Sequence, residues 1–425
     1  MVEIILIKNG QVIDPASGKN GVADVLIEDG KIAKVAKNIK AQNTTVIDAK
    51  ACWVLPGLID MHTHLRDPGW PEQETIATGT RAAARGGFTS VCCMANTDPV
   101  ADTASVVKYI VSKAKAEGVV NVFPIGAVTK GLKGEELAEM GRMLDEGAVA
   151  FSDDGHPIAS AGVFRKALEY AGQFNVPIIS HSEELGLSES GDMNEGALST
   201  QLGLRGIPAL AESEAVARDV GLAKEFGTLH VAHVSTAQSV KTIRDAKKQK
   251  VKVTCETAPH YFSLTEEAVK GYDTNAKVNP PLRTQADVEE IVAGLKDDTI
   301  DVIATDHAPH TIDEKNVEFQ RAANGMIGLE TAVPLCITKL IKERKMNPLK
   351  VFAKLTVNPA KILKLNKGTL APGADADVVI IDPEAKVVIK KEDFVSASKN
   401  SPFISQKLTG KVLTTVVGGK IVFQA

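Results

Sequence analysis

Val54-Leu55-Pro56-Gly57-Leu58-Ile59-Asp60-Met61-His62-Thr63-His64-Leu65-Arg66-Asp67-Pro68-Gly69 runs from an apolar stretch straight into a cluster of polar side chains. Val54–Met61 reads as a buried strand, with His62 and His64 two apart at its end and Asp60 two before. Residues i and i+2 of a strand point the same way, so both imidazoles are expected to face one side. Alone, the pair would also fit two solvated histidines in a loop. The rest of the chain settles which reading is better.

Seven further apolar runs follow: Thr89–Ala95, Val119–Gly126, Ala148–Ser152, Val176–Ser180, Leu229–Val234, Val251–Cys255 and Ile300–Thr305. Most are near-continuous, as parallel strands covered by helices should be. Helical stretches lie between them, for example Thr75–Arg85, Ser105–Glu117, Phe164–Phe174, Glu212–Glu225 and Ala286–Leu295. Such strand–helix units in order predict an α/β fold, a closed (β/α)8 barrel over residues 56–364. Barrel enzymes keep their sites where the strands end, which is where His62 and His64 fall.

The flanks read differently. Ile4–Ile7, Val12–Ile13, Val25–Ile27 and Ile32–Val35 are short strands separated by the turn signals Asn9-Gly10, Ser17-Gly18 and Asp29-Gly30. Asp377–Ile381, Val387–Ile389, Val412–Val417 and Ile421–Phe423 repeat that character, with Gly418-Gly419 before the last. Each set is too small to bury a core well alone. Residues 1–55 and 365–425 are therefore expected to pair into one small β-sandwich domain. Two long connections, Ser182–Glu212 and His307–Gly328, are candidates for substrate-gating loops.

The ends of other strands repeat the first. Strand four ends in Ser152-Asp153-Asp154-Gly155, strand five in Ser180-His181-Ser182, and strand six in Ala232-His233-Val234-Ser235. Strand eight ends in Ala304-Thr305-Asp306-His307-Ala308-Pro309-His310. Histidine and aspartate are ligand types that Zn2+ takes from nitrogen and oxygen. Packing gives no reason for this placement, because such groups are expensive to bury unpaired. A metal-dependent site is the reading that accounts for it.

Composition narrows the alternatives. A net charge of −4 without a Lys/Arg block gives no reason to expect nucleic-acid or acidic-lipid binding. The five cysteines Cys52, Cys92, Cys93, Cys255 and Cys336 form no CxxC pair and lie mostly in apolar runs. They read as buried hydrophobes of a reducing compartment. The apolar run near Met1 is too short for a signal peptide, and no segment is apolar for long enough to span a bilayer. A cytoplasmic protein is expected.

Asp60-Met61-His62-Thr63-His64-Leu65-Arg66-Asp67-Pro68-Gly69 and Ala304-Thr305-Asp306-His307-Ala308-Pro309-His310, with Lys315 following, carry a resemblance to the amidohydrolase superfamily. The chain is most similar to the type I dihydroorotases, and Asn96, Lys277–Arg283 and Gly328–Thr331 fall where that family expects them. The resemblance implies two Zn2+ per subunit. His62, His64 and Asp306 would hold one and His181 and His233 the second, with a bridging carboxylate from strand four. The family motif places that bridge on Asp154, although strand parity leaves Asp153 open. Many superfamily members bridge through a carbamylated lysine, and Phe151–Gly155 contains no lysine. That absence favours the dihydroorotase branch over hydantoinases and allantoinases.

The implied reaction is the reversible interconversion of N-carbamoyl-L-aspartate and L-dihydroorotate in pyrimidine biosynthesis. The implied acid/base is Asp306. Arg66 would offer a bidentate fork to the substrate carboxylate, with Asn96, His64 and His310 as further substrate contacts. Asn279 and the backbone at Asn324 and Gly325 would read the ring's amide edges. Family members often carry Pro-Phe-Gly where this chain has Ala323-Asn324-Gly325. The expected partners are the small-molecule substrate and further copies of the chain, and a complex with aspartate transcarbamoylase is left open. A non-catalytic scaffolding relative would have lost metal-binding histidines, and this chain retains all of them.

The remaining histidines suit other roles. His230, three before His233, is expected to face the helices as a hydrogen-bonded core residue. His260 reads as structural, His156 as an exposed loop residue, and His307 as support for Asp306.

Overall fold

Pro56-Gly57 divides the run expected as a single first strand. Trp53–Pro56 joins the terminal sheet, antiparallel to Val378–Ile381 and parallel to Gln11–Val12, while Leu58–Thr63 enters the barrel. The break is steric. A Cβ on Gly57 would lie 2.0 Å from Thr89 Oγ1, so only glycine lets the chain pass here from one sheet to the other.

The computed structural model describes residues 4–425, and Met1–Glu3, the head of the N-terminal run, lie outside the described residues. The barrel strands are Leu58–Thr63, Phe88–Cys93, Asn121–Gly126, Ala150–Ser152, Ile178–Ser180, Leu229–Val231, Val253–Thr257 and Val302–Ile303. They pair in chain order and in parallel. A bridge between Thr63 and His307, with His64 N donating to His307 O at 2.9 Å, brings the last strand end back to the first. The expected (β/α)8 barrel is the fold observed.

Register shows which residues look inward. Ile125 pairs with Ala150, Ile179 with Ser152 and His230, His230 with Thr254, and Glu256 with Val302. Partners across a parallel ladder share a face, and so do residues two apart on one strand. Ile125, Ala150, Ile179 and Val302 form one buried cluster with Met61, Cys92, Ala232 and Ala304. These fill the barrel. The alternate residues Val91, Phe151, Ile178, Leu229 and Val253 pack outward with the helix residues Ile110, Phe164, Leu168, Val240, Ile243 and Ile291.

The helices begin at side-chain acceptors. Thr75, Ser160, Thr236 and Thr284 cap Ile76–Arg85, Ala161–Gln173, Ala237–Lys248 and Gln285–Lys296. Each such cap contributes about 1 kcal/mol. Among the described residues, no helix is long and apolar enough to cross a membrane. All five cysteines are buried and free.

Strands from both chain ends make the second sheet: Ile5–Asp14, Lys19–Glu28, Lys31–Ala36, Thr45–Asp48 and Trp53–Pro56 with Val378–Val388, Lys407–Val417 and Lys420–Gln424. Ile7, Val25, Ile27, Val54, Val378, Ile380 and Val416 share its core. Asp29-Gly30 makes the expected hairpin turn, with φ of 51° and 72°. Asn9-Gly10 does not. The strand Ile5–Asp14 runs through it with an irregularity between Ile7 and Gly10, so this dipeptide is a bulge and not a turn.

Candidate metal centre

The site residues stand where the strand ladders stop. His233 and Asp306 follow their strands with φ of 33° and 49°, and Arg66 has φ of 57°. Such backbone is uncommon outside glycine and collects at functional sites, held by its surroundings. It also breaks the period-two rule, and this corrects the expectation for His230. That residue does not face the helices: it shares the inner face with Ile179 and Thr254, because the strand ends at Val231 before parity can be counted to His233.

Six side chains scattered along the chain converge. His62 Nε2 lies 3.4 Å from Asp154 Oδ1 and 3.5 Å from Asp306 Oδ1. His64 Nε2 lies 3.2 Å from Asp306 Oδ1 and 3.5 Å from Asp154 Oδ2. His181 Nδ1 and His233 Nε2 lie 3.5 Å and 3.4 Å from Asp154 Oδ1. All six are buried. Two overlapping groups, His62–Asp154–His233 and His62–His64–Asp306, are compact enough to hold a metal ion.

The donor atoms fit a cation. His62 Nε2 and Asp154 Oδ1 are buried with no hydrogen-bond partner, and they face each other. Buried polar atoms are almost always paired, so an orphaned pair of this kind calls for a third party. Two ligands each about 2.1 Å from a tetrahedral ion stand about 3.4 Å apart, which is the spacing found here. Charge agrees. Burial alone would pull the His62 imidazole down, yet the carboxylates of Asp154 and Asp306 outweigh it and raise it well above its ordinary value. Buried carboxylates that attract positive charge this strongly suit a bound cation.

Asp153 and Asp154 are separated by their partners. Asp153 accepts from Val128 N at 2.7 Å, from Thr129 N at 3.0 Å and from the Thr129 hydroxyl, so it fastens the loop after strand three. Only Asp154 looks into the histidine cluster.

Two carboxylates behind the histidines were not anticipated from the sequence. Glu256 Oε1 is 2.7 Å from His62 Nδ1 and Oε2 is 3.2 Å from His230 Nε2. Burial pushes Glu256 up, but its bonds to His230 and His62 bring it down to about 2. A carboxylate there holds a proton on Nδ1 and leaves the His62 Nε2 lone pair aimed at the cluster. Glu183 does likewise for His181, at 3.2 Å from its Nε2, and is brought down to about 2 by that contact against its burial. The available signals were weak: an acid directly after the apolar run Val251–Cys255, and an acid two after His181.

Glu256→Gln is expected to weaken metal affinity about 10- to 100-fold, the usual cost of removing such a support. Metal content after dialysis against a chelator buffer checks this. Unchanged retention would mean that His62 needs no such orientation.

Of the residues expected to meet substrate, Asn96 and Asn279 contact the cluster or its support, and Arg66 and His310 contact each other. Asn96 Oδ1 is 2.9 Å from His64 Nδ1. Arg66 Nε donates to Pro309 O at 3.3 Å, and its Nη2 lies 3.3 Å from His310 Nε2. Burial, then the neighbouring Arg66 charge, pull His310 down to about 4, so its imidazole is neutral. His310 Nε2 lies 2.8 Å from the carbonyl of exposed Asn324. Asn279 Nδ2 donates to Glu183 at 3.0 Å, which ties it to the support of His181.

Gly325 differs from expectation. Its N–H donates to Lys277 O at 2.9 Å, and its carbonyl accepts from Lys315 Nζ at 3.0 Å and Asn400 Nδ2 at 3.1 Å. The backbone expected to read a ring amide is fully engaged inside the chain. With φ of 134°, and Ala308 Cβ 2.7 Å from where a Cβ would stand, the position requires glycine. It shapes the corner where His310 and Asn324 meet.

The two long connections are anchored by buried lysines. Lys277 Nζ reaches Asp192 in the first at 3.1 Å and the carbonyls of Phe319 and Gln320 in the second at 2.8 and 2.9 Å. Lys315 Nζ donates to Ala323 O at 2.7 Å. His307 Nε2 contacts Glu74 at 3.3 Å and its Nδ1 accepts from Gly328 N at 3.2 Å, which fixes the residue next to Asp306. His260 is buried with its ring 4.2 Å from Tyr261, and His156 is exposed.

Among known proteins, a family model described as Dihydro-orotase-like matches residues 52–239, and one described as Amidohydrolase family matches residues 201–423. A dihydroorotase of Acetivibrio thermocellus is 55% identical over 98% of this chain and 98% of its own length. One of Pelotomaculum thermopropionicum is 55% identical over 99% of this chain and 98% of its own. The solved L-hydantoinase (dihydropyrimidinase) of Arthrobacter aurescens superposes with a TM-score of 0.90 at 26% identity, covering 100% of this chain and 96% of that one. With near-full coverage at this identity, and with the barrel and its histidine–aspartate cluster in place, this chain belongs to the dihydroorotase family of the amidohydrolases.

Proposed function

We propose that this chain catalyses the reversible interconversion of N-carbamoyl-L-aspartate and L-dihydroorotate, a cytoplasmic step of de novo pyrimidine (UMP) biosynthesis. The observation that carries the reading is the convergence of four histidines and two aspartates beside the half-buried Arg66, in a chain with the dihydroorotase relatives named above. Two Zn2+ ions are proposed, one held by His62, His64 and Asp306, the other by His181 and His233, with Asp154 shared. When bound, zinc lowers the pKa of a water ligand to about 7 and polarises a carbonyl oxygen.

The chain's own groups do the rest. Arg66, Asn96 and His310 hold the ring carboxylate and orient the amide. Asp306, kept ionised by His62 and His64 although burial opposes it, takes a proton on its carboxylate from the attacking water. It then returns that proton to the departing ring nitrogen. The small terminal sheet contributes no group to the chemistry in this scheme.

Ring closure turns two carboxylates into one and so consumes a proton. Acidic pH is therefore expected to favour L-dihydroorotate and alkaline pH the open form. An equilibrium ratio that stays flat between mildly acidic and mildly alkaline buffer would contradict this.

The decisive experiment is metal analysis of the purified protein together with an assay on L-dihydroorotate. Two metal ions per chain, and turnover lost on chelation, are expected. Faster turnover of hydantoins or dihydropyrimidines, which lack the ring carboxylate, would favour the hydantoinase reading suggested by the fold neighbour.

A further inference from the structure

The neck of the His307–Gly328 connection is held by a side chain from outside the barrel. Asn400 lies between the terminal-sheet strands Val378–Val388 and Lys407–Val417 and is 4% exposed. Its Nδ2 donates to Ala308 O at 3.0 Å and Gly325 O at 3.1 Å, which uses both of its N–H donors. Its Oδ1 accepts from His310 N at 3.1 Å, and its backbone oxygen accepts from Ile327 N at 2.9 Å. Residues on the way out of the connection and residues on the way back thus meet on one amide.

The same segment takes a second grip. The Ser396 hydroxyl and Ala397 N both donate to Glu74, which also accepts from the Thr78 hydroxyl and contacts His307 at 3.3 Å. Ser398 Oγ donates to Gln73 O at 2.7 Å. Nothing in this segment hydrogen-bonds the barrel-borne cluster of His62, Asp154, His181 and His233.

We propose that Asn400 is a positioning residue for substrate binding: it fixes where the His310 imidazole stands against Arg66, and with it the pocket for the substrate's carboxylate. The inference rests on the dihydroorotase reading. It assigns to the terminal segment a part in recognition that the metal ligands do not share. Small displacements of a binding group weaken recognition strongly even when the reacting centre is untouched.

The test compares wild type, Asn400→Ala and Asn400→Asp, all metal-loaded, by steady-state kinetics on L-dihydroorotate, metal content and thermal melting. For Asn400→Ala, KM is expected to rise about tenfold while kcat stays within about threefold and metal content is unchanged. Asn400→Asp keeps the oxygen that accepts from His310 N but turns a second oxygen toward two carbonyls. Protonation restores a donor, so its KM relative to wild type is expected to fall as pH is lowered.

Wild type that leaves L-dihydroorotate unchanged overturns the dihydroorotase reading itself. Wild type that turns it over beside an Asn400→Ala enzyme of unchanged KM overturns the positioning role alone. Joint loss of metal and kcat at constant KM overturns it too. If Asn400→Ala does not fold, a pH-independent KM ratio for Asn400→Asp overturns the positioning role in its place.

Discussion

Asp306→Asn is expected to retain its metal and lose about two orders of magnitude or more in turnover, the usual weight of general acid/base catalysis. Asparagine keeps the shape of the side chain and one oxygen facing His64 Nε2, now 3.2 Å from Asp306 Oδ1. It cannot take a proton. In the native site burial pushes the Asp306 carboxyl up, but His62 and His64 outweigh it and keep it ionised well below the ordinary carboxylate range. That is the state a base needs at the start of hydrolysis. Paired metal analysis and kcat measurement on the purified variant check this, and near-normal turnover would remove Asp306 from proton transfer.

Asp154→Ala should act differently, by taking the metal away. Asp154 Oδ1 is the atom that His62, His181 and His233 share at 3.4, 3.5 and 3.4 Å. Without it the imidazoles keep their places on the strand ends but lose the anion between them. Metal content is expected to fall to one ion per chain or fewer. Turnover should drop about a thousandfold, the equivalent of losing roughly 4 kcal/mol of transition-state stabilisation. Asp153→Ala is the matched control, because its carboxylate bonds the Val128–Thr129 backbone and not the cluster. Its metal content should stay near native. An Asp154→Ala enzyme that is metal-replete and fully active would sink the shared-ligand assignment.

The site was legible in the sequence wherever chemistry and strand ends coincided. His62, His64, His181, His233 and Asp306 could be found because imidazoles and carboxylates closing apolar runs have no packing explanation. Residues that act across the barrel were not legible. His62 and Glu256 are 194 positions apart, and no local pattern couples them. The orientation of His230 was hidden for a related reason. Alternation holds only while the ladder holds, and the positive φ at His233 ends it. Pro56-Gly57 hid inside an apolar run because the change of sheet there preserves hydrophobicity on both sides. The hold of Asn400 on His310 spans 90 positions and depends on a closed chain, which composition does not encode.

The passage through Gly57 has a consequence for any attempt to shorten the molecule. Trp53–Pro56 is stitched on one side to Gln11–Val12 and on the other to Val378–Ile381, so each terminus supplies one of its two neighbours. Deleting the C-terminal strands would bare the row of backbone donors and acceptors along Val54 and Leu55, an open seam just upstream of the strand that carries His62. Such a truncated chain should self-associate through that seam before it loses its barrel.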